Sequence, residues 1–223
     1  MIQVRLTENQ TSLKQHLEDR GLDVSKTRVI VDEETDVAVF LLFNLSGELV
    51  GYQNYNRNAE KSTSVVSKML KTADITRKNL KELMKYYTRV RQDQKGVTVW
   101  GLETLETDSK ILFVTEGIFD AIKIHNAGYP CIATLTNAGS PEIKTFLRMI
   151  PQTIISVYDN DESGLKLKSL GDLSFTVPSP AKDLGELDQN TASELINKWA
   201  ELAYSKRKTK VLKEDSNGRN AKR

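Results

Sequence analysis

The sequence holds one cysteine, Cys131, and two histidines, His16 and His125, among 223 residues. A lone cysteine excludes an internal disulfide, and these three side chains cannot build a Cys/His zinc centre. No apolar run approaches the ~18 residues of a membrane-spanning helix. The opening Met1-Ile2-Gln3-Val4-Arg5 is no secretion signal. These absences place the expected protein in a reducing compartment, the cytoplasm, with no membrane partner. What is present is ordinary for a globular chain: 39% hydrophobic and 28% charged residues, enough for one domain or two small ones.

Charge of one sign is scarce overall but not locally. The net +2 divides into −4 over residues 1–56, +7 over 57–95, −7 over 96–205 and +6 over 206–223. A basic segment followed by an acidic one suits a polyanion seat beside a carboxylate cluster. Patchy solvated surfaces give the same pattern.

Apolar spacing sets the expected elements. Residues 11–20 form a short helix on Leu13 and Leu17, stopped by Gly21. Val29–Val31 reads as a strand, and Val37–Phe43 and Glu48–Tyr55 read as a hairpin about Asn44-Leu45-Ser46-Gly47. Residues 74–87 read as a helix with Ile75, Leu80, Leu83, Met84 and Tyr87 on one face. From residue 110 strands and helices alternate. Ile111–Val114, Cys131–Ala133, Thr153–Tyr158 and Ser174–Val177 are strands, and Ile118–Asn126, Ser140–Met149, Glu162–Leu170 and Glu186–Tyr204 are helices. This alternation predicts an α/β fold, a parallel sheet flanked by helices, preceded by a smaller α+β basic subdomain. The expected domains are residues 1–96, 97–204, and a disordered basic tail over 205–223.

Open parallel sheets bind ligands at the carboxyl ends of their strands. There the first of these strands runs into Glu116-Gly117, with Asp120 one turn on, and the third into Asp159-Asn160-Asp161-Glu162. Carboxylates delivered to one edge repel unless a cation compensates them. Hard oxygen donors with no His or Cys nearby suit Mg²⁺ or Mn²⁺. Singly, Asp159, Asp161 and Glu162 are better explained as a helix N-terminus; as a set with Glu116 they point to metal. Cys131, His16, His125, Trp100 and Trp199 read as packing residues. Tyr52, Tyr55, Tyr86 and Tyr87, interleaved with cations, divide between core and base stacking.

Ile111-Leu112-Phe113-Val114-Thr115-Glu116-Gly117-Ile118-Phe119-Asp120 resembles the first motif of Toprim domains in the form found in bacterial and phage DNA primases. Val157-Tyr158-Asp159-Asn160-Asp161-Glu162-Ser163-Gly164 resembles the second motif, and Lys182-Asp183 loosely resembles a later acidic one. Upstream, Phe40–Phe43 and Gly47–Tyr52 are similar to the primase strand pair. Arg57, Lys85-Tyr86-Tyr87-Thr88 and Lys95-Gly96 follow in matching order. The resemblance covers roughly residues 37–170.

It implies a Mg²⁺- or Mn²⁺-dependent nucleotidyltransferase that makes RNA primers on single-stranded DNA from NTPs. Glu116, Asp159 and Asp161 would be catalytic, and Glu116, Asp120, Asp159 and Asp161 would hold metal. Arg57, Lys85 and Lys95 would contact nucleic acid or nucleotide. The chain lacks the cysteines of a primase zinc module and has no room for a helicase domain, so either a replicative helicase or a separate zinc-containing protein is an expected partner, or the protein does something narrower than template-directed priming. Toprim proteins also include nucleases, and a non-catalytic nucleic-acid-binding replication accessory protein is the third reading.

Overall fold

A computed structural model describes residues 11–59 and 84–220, apart from 107, 137 and 163, with side chains as far as residue 206. The chain divides into two compact units: residues 1–42 with 49–92, and residues 43–48 with 93–223.

In the first unit, helix α1 (Leu13–Asp19) starts where Ser12 Oγ accepts the Gln15 N–H, and it buries Leu13 and Leu17. Strands β1 (Val29–Asp32), β2 (Val37–Asn44), β3 (Leu49–Asn56) and β4 (Tyr86–Val90) lie in that order in one sheet. β1 runs antiparallel to β2, and β4 antiparallel to β3. The turn between β2 and β3 uses Gly47 at φ +81°, with Asn44 Oδ1 accepting the N–H groups of Ser46 and Glu48.

β4 corrects the C-terminal end of the expected helix over 74–87, at Tyr86 and Tyr87. Ile75, Leu80 and Leu83 lie outside the described residues, but Tyr86 and Tyr87 pair with Tyr55 and Asn54 as a strand. The run Tyr-Tyr-Thr-Arg-Val favours extended backbone, and an available sheet edge decides the matter.

In the second unit, β5 (Thr98–Val99) pairs with the end of β2 at Phe43 and Asn44. Three-residue helical turns at Gln92–Gln94 and Leu102–Thr104 flank it. Four strands then build a parallel sheet in the order β7-β6-β8-β9. They are β6 (Ile111–Thr115), β7 (Cys131–Ala133), β8 (Thr153–Tyr158) and β9 (Leu173–Thr176). All five residues of β6 are buried, as a central parallel strand covered on both faces requires.

The crossovers are α2 (Ile118–Asn126), α3 (Pro141–Met149) and a 3₁₀ segment, Gly164–Leu170. α3 begins as its sequence prescribes, with Ser140 Oγ accepting the Ile143 N–H and Pro141 at the first helical position. One core gathers Val99, Leu112, Val114, Ile132, Ile154, Ile143, Leu147, Leu167 and Leu170. Residues 162–170 were expected as an α-helix; over seven residues the tighter 3₁₀ turn prevails.

α4 (Gln189–Asn220) closes the chain as a single helix. The expectation of a disordered stretch after residue 204 is thereby corrected as far as Asn220. Lys, Arg, Leu and Glu are good helix formers, so a helix already docked through Ala192, Ile196, Trp199 and Ala203 propagates into them. Among the described residues no helix is long and apolar enough to cross a membrane.

Candidate active site

The ends of β6 and β8 meet at the carboxyl edge of the parallel sheet. Glu116 follows β6 directly. Its main-chain oxygen accepts the Leu135 N–H at 3.0 Å, while Thr134 N–H reaches Thr115 O at 2.9 Å, so the β7 loop grips the β6 end. Leu135 takes φ +60° there, an unusual backbone for a leucine.

Gly117 precedes α2. A Cβ on residue 117 would stand 2.5 Å from Asp120 Oδ2, so glycine makes room for the Asp120 carboxylate over the first turn. Asp120 Oδ1 accepts the Gly185 N–H at 2.8 Å.

β8 delivers Asp159-Asn160-Asp161 to the same edge. Asp161 Oδ1 accepts the Gly164 N–H at 2.8 Å, opening the 3₁₀ segment, and Asp161 Oδ2 lies 3.1 Å from Lys182 Nζ. The helix-cap role considered from sequence is therefore real for Asp161, and it leaves the second oxygen for a cation. A Cβ at residue 164 would strike the Asp159 carbonyl, which explains the glycine three positions beyond Asp161.

Burial first, then the charges of Asp159 and Asp161, raise the pKa of Glu116 above its ordinary 4.5, with Lys182 acting the other way. The three carboxylates thus share one field. Asp161, Asp159 and Asp183 in turn raise the pKa of Lys182. Asp183 Oδ1 accepts the Glu186 N–H at 3.0 Å and starts the short turn Leu184–Glu186. Lys182 and Asp183 carried only a loose motif signal; tertiary contact gives them a place at this edge.

Among the described residues no three His, Cys, Asp or Glu side chains stand close enough to enclose an ion by themselves. A closed cage is not what Mg²⁺ needs. It typically takes one or two carboxylates and completes its shell with water and substrate phosphate. The donor set of Glu116, Asp159 and Asp161, all hard oxygen and mutually repelling, fits that chemistry.

The expected cations are placed differently. Lys95 is exposed, and the carbonyl of its neighbour Gly96 accepts from Ser140 Oγ at the start of α3.

Arg57 and Lys85 belong to the first unit, where both act on His16. Arg57 Nε is 2.7 Å from Asp36 Oδ2, and its Nη1 donates to the carbonyls of Thr11 and Ser12, with only 10% of the side chain exposed. Its guanidinium joins the β3 end to the start of α1, a structural bond that sequence gave no means to see.

His16 Nε2 meets Tyr55 Oη at 2.8 Å, and Arg20 lies over the Tyr55 ring. Burial, then Arg20, Arg57 and Lys85, lower the His16 pKa against the pull of Asp36. Tyr55 is buried against Tyr86, so the core role holds for Tyr55.

Cys131 is fully buried and its thiol is pushed far up, so it is inert. His125 Nε2 lies 2.9 Å from Cys131 O, and its ring stacks on Trp100. Trp199 stacks on Phe175. All four are packing residues.

Residues 113–170, from β6 through the 3₁₀ segment, match a family model described as Toprim-like. The fold is similar to that of the DnaG primase catalytic domain bound to ssDNA. That match has a TM-score of 0.51 and 16% identity, over 85% of this chain and 58% of that one. It is similar also to the Aquifex aeolicus primase comprising zinc-binding and RNA polymerase domains, with TM-score 0.51, 20% identity, and 84% and 45% coverage. The chain spans about half the length of these structures. No curated protein matches the sequence. Residues 113–170 are therefore similar to a Toprim-like domain, within a fold resembling primase catalytic domains.

Proposed function

We propose that the protein is a metal-dependent nucleotidyltransferase of primase type, joining NTPs into RNA on a single-stranded DNA template. The observation that carries this reading is the convergence of Glu116, Asp159 and Asp161 at the carboxyl edge of a sheet whose fold resembles primase cores. One or two of Asp159, Asp161, Glu116 and Asp120 would hold Mg²⁺ or Mn²⁺ directly, with water and substrate phosphate completing the shell. Bound there, the ion would neutralise phosphate charge and orient the attacking hydroxyl.

The chain's own groups have separable tasks. Asp161 fixes the loop through Gly164, and Asp120 fixes α2 against Gly185. Glu116, whose pKa is raised, can accept or return a proton at the reacting oxygen. Lys95 in the second unit and Lys85 in the first would each contact nucleic acid or nucleotide phosphate, while Arg57 would chiefly hold the first unit's architecture. A replicative helicase or a separate zinc-containing protein is the proposed partner, with the bacterial or phage-infected cytoplasm as the setting.

The second reading is a Toprim nuclease, in which Glu116, whose burial beside Asp159 and Asp161 raises its pKa, would pass a proton to the leaving oxygen. One assay separates the two. The protein is incubated with single-stranded DNA, labelled NTPs and Mg²⁺ or Mn²⁺, and the products are resolved on a gel. Extension products support priming and shortened DNA supports cleavage. Neither product, with binding retained, overturns both and leaves a nucleic-acid-binding accessory.

A further inference from the structure

We propose that Lys182 is a built-in rival of the divalent ion at Asp161 and sets how much metal the site requires. This rests on the reading of Glu116, Asp159 and Asp161 as a metal-binding edge.

Lys182 Nζ stands 3.1 Å from Asp161 Oδ2, and the other carboxylate oxygen, Oδ1, already accepts the Gly164 N–H. An ion that takes Asp161 through Oδ2 must therefore displace the ammonium. The lysine is not there by chance of a long side chain. Its carbonyl accepts the Asn160 N–H at 2.8 Å, and its own N–H donates to Glu186 Oε2 at 2.9 Å. The main chain of residue 182 is thus fastened to the Asp159-Asn160-Asp161 loop itself.

The ammonium end is not locked in. The side chains of Lys182 and Asp161 are 46% and 36% exposed, so the contact can open into water without a large desolvation penalty. With Glu116, Asp159 and Asp161 ionised, Lys182 lowers their summed charge from −3 to −2 and eases their mutual repulsion. The same charge repels an arriving divalent ion at close range.

A purely structural role makes the opposite forecast. If Lys182 only tied the loop down, its loss would loosen the carboxylates and weaken metal binding. If it competes, its loss tightens binding.

The test is calorimetric titration of Mn²⁺ into the full chain without nucleotide, comparing wild type, Lys182→Met, Lys182→Arg and Asp159→Asn. Circular dichroism melts are used to establish that each is folded. Lys182→Met is expected to bind about tenfold more tightly, equivalent to about 1.4 kcal/mol. Lys182→Arg, which keeps the charge, should stay within about twofold of wild type, and Asp159→Asn should bind more weakly. Unchanged or weaker binding by Lys182→Met, alongside weakened Asp159→Asn, overturns the rivalry and leaves the metal edge standing. Wild-type affinity in Asp159→Asn, or no binding by any variant at millimolar Mn²⁺, overturns the metal edge and the proposal with it.

Discussion

Asp120 Oδ1 accepts the Gly185 N–H at 2.8 Å, joining residues 65 positions apart. The bond fastens the first turn of α2 to the loop that carries Lys182 and Asp183. One carboxylate therefore holds the edge together while standing among the proposed metal ligands.

Removing that acceptor should separate the two tasks. Asp120→Ala leaves the Gly185 N–H without it and is expected to cost about 1–2 kcal/mol in urea unfolding. Asp120→Asn keeps an acceptor oxygen and should stay within about 0.5 kcal/mol of wild type. Both should lower turnover. Equal stability of the alanine and asparagine variants would show that the bond supports nothing.

Glu116 should make stability fall with rising pH. Its folded-state pKa lies above the ordinary 4.5, so the folded chain binds its proton more tightly than the unfolded chain. That stability is fully present below pH 4.5 and is lost as pH rises through the raised value. His16 and His125, whose pKa values are lowered, act oppositely below 6.5, which is why the comparison must be internal. Chemical unfolding of wild type and Glu116→Gln is followed from pH 4 to 7. The wild-type stability relative to the variant should decline across this window; a constant difference would contradict the shift.

Gly164→Ala should damage the edge more than a methyl group would suggest. Its Cβ would collide with the main-chain oxygen and nitrogen of Asp159, atoms that cannot rotate away. A loss of about 1–3 kcal/mol in thermal unfolding is expected, with displaced Asp159 and reduced turnover. A fully active, fully stable Gly164→Ala would refute the close packing described here.

Arg57→Met should be a stability variant first. It strips Asp36 of its ion pair and frees the Thr11 and Ser12 carbonyls, costing about 2 kcal/mol. With one neighbouring cation gone, the His16 pKa should rise, as read by NMR titration. An unchanged melting temperature with weakened DNA binding would instead return Arg57 to the phosphate-contacting role expected from sequence.

Much of the second unit was readable because its signals are local. Buried strands such as Ile111–Thr115 show as short apolar runs, and Ser140-Pro141 announces a helix start chemically. The candidate acids were legible for the same reason: strand ends in an alternating α/β pattern can be counted. Tyr86–Val90 was missed because only pairing with the β3 edge makes it a strand. The pairing of Arg57 was not visible because an arginine followed by polar residues looks solvated, and its partner Asp36 lies 21 positions away.

The sequence by itself determined the alternation of strands and helices, the carboxylates at the strand ends, and the exclusion of disulfide and Cys/His zinc chemistry. Tertiary structure decided which charges meet. Lys182 reaches Asp161, Arg57 goes to Asp36, and Asp120 holds Gly185. Local backbone preference acts over a few residues and is written in their order. Charge pairing acts through space, and the folded path alone sets which carboxylate a given cation can reach.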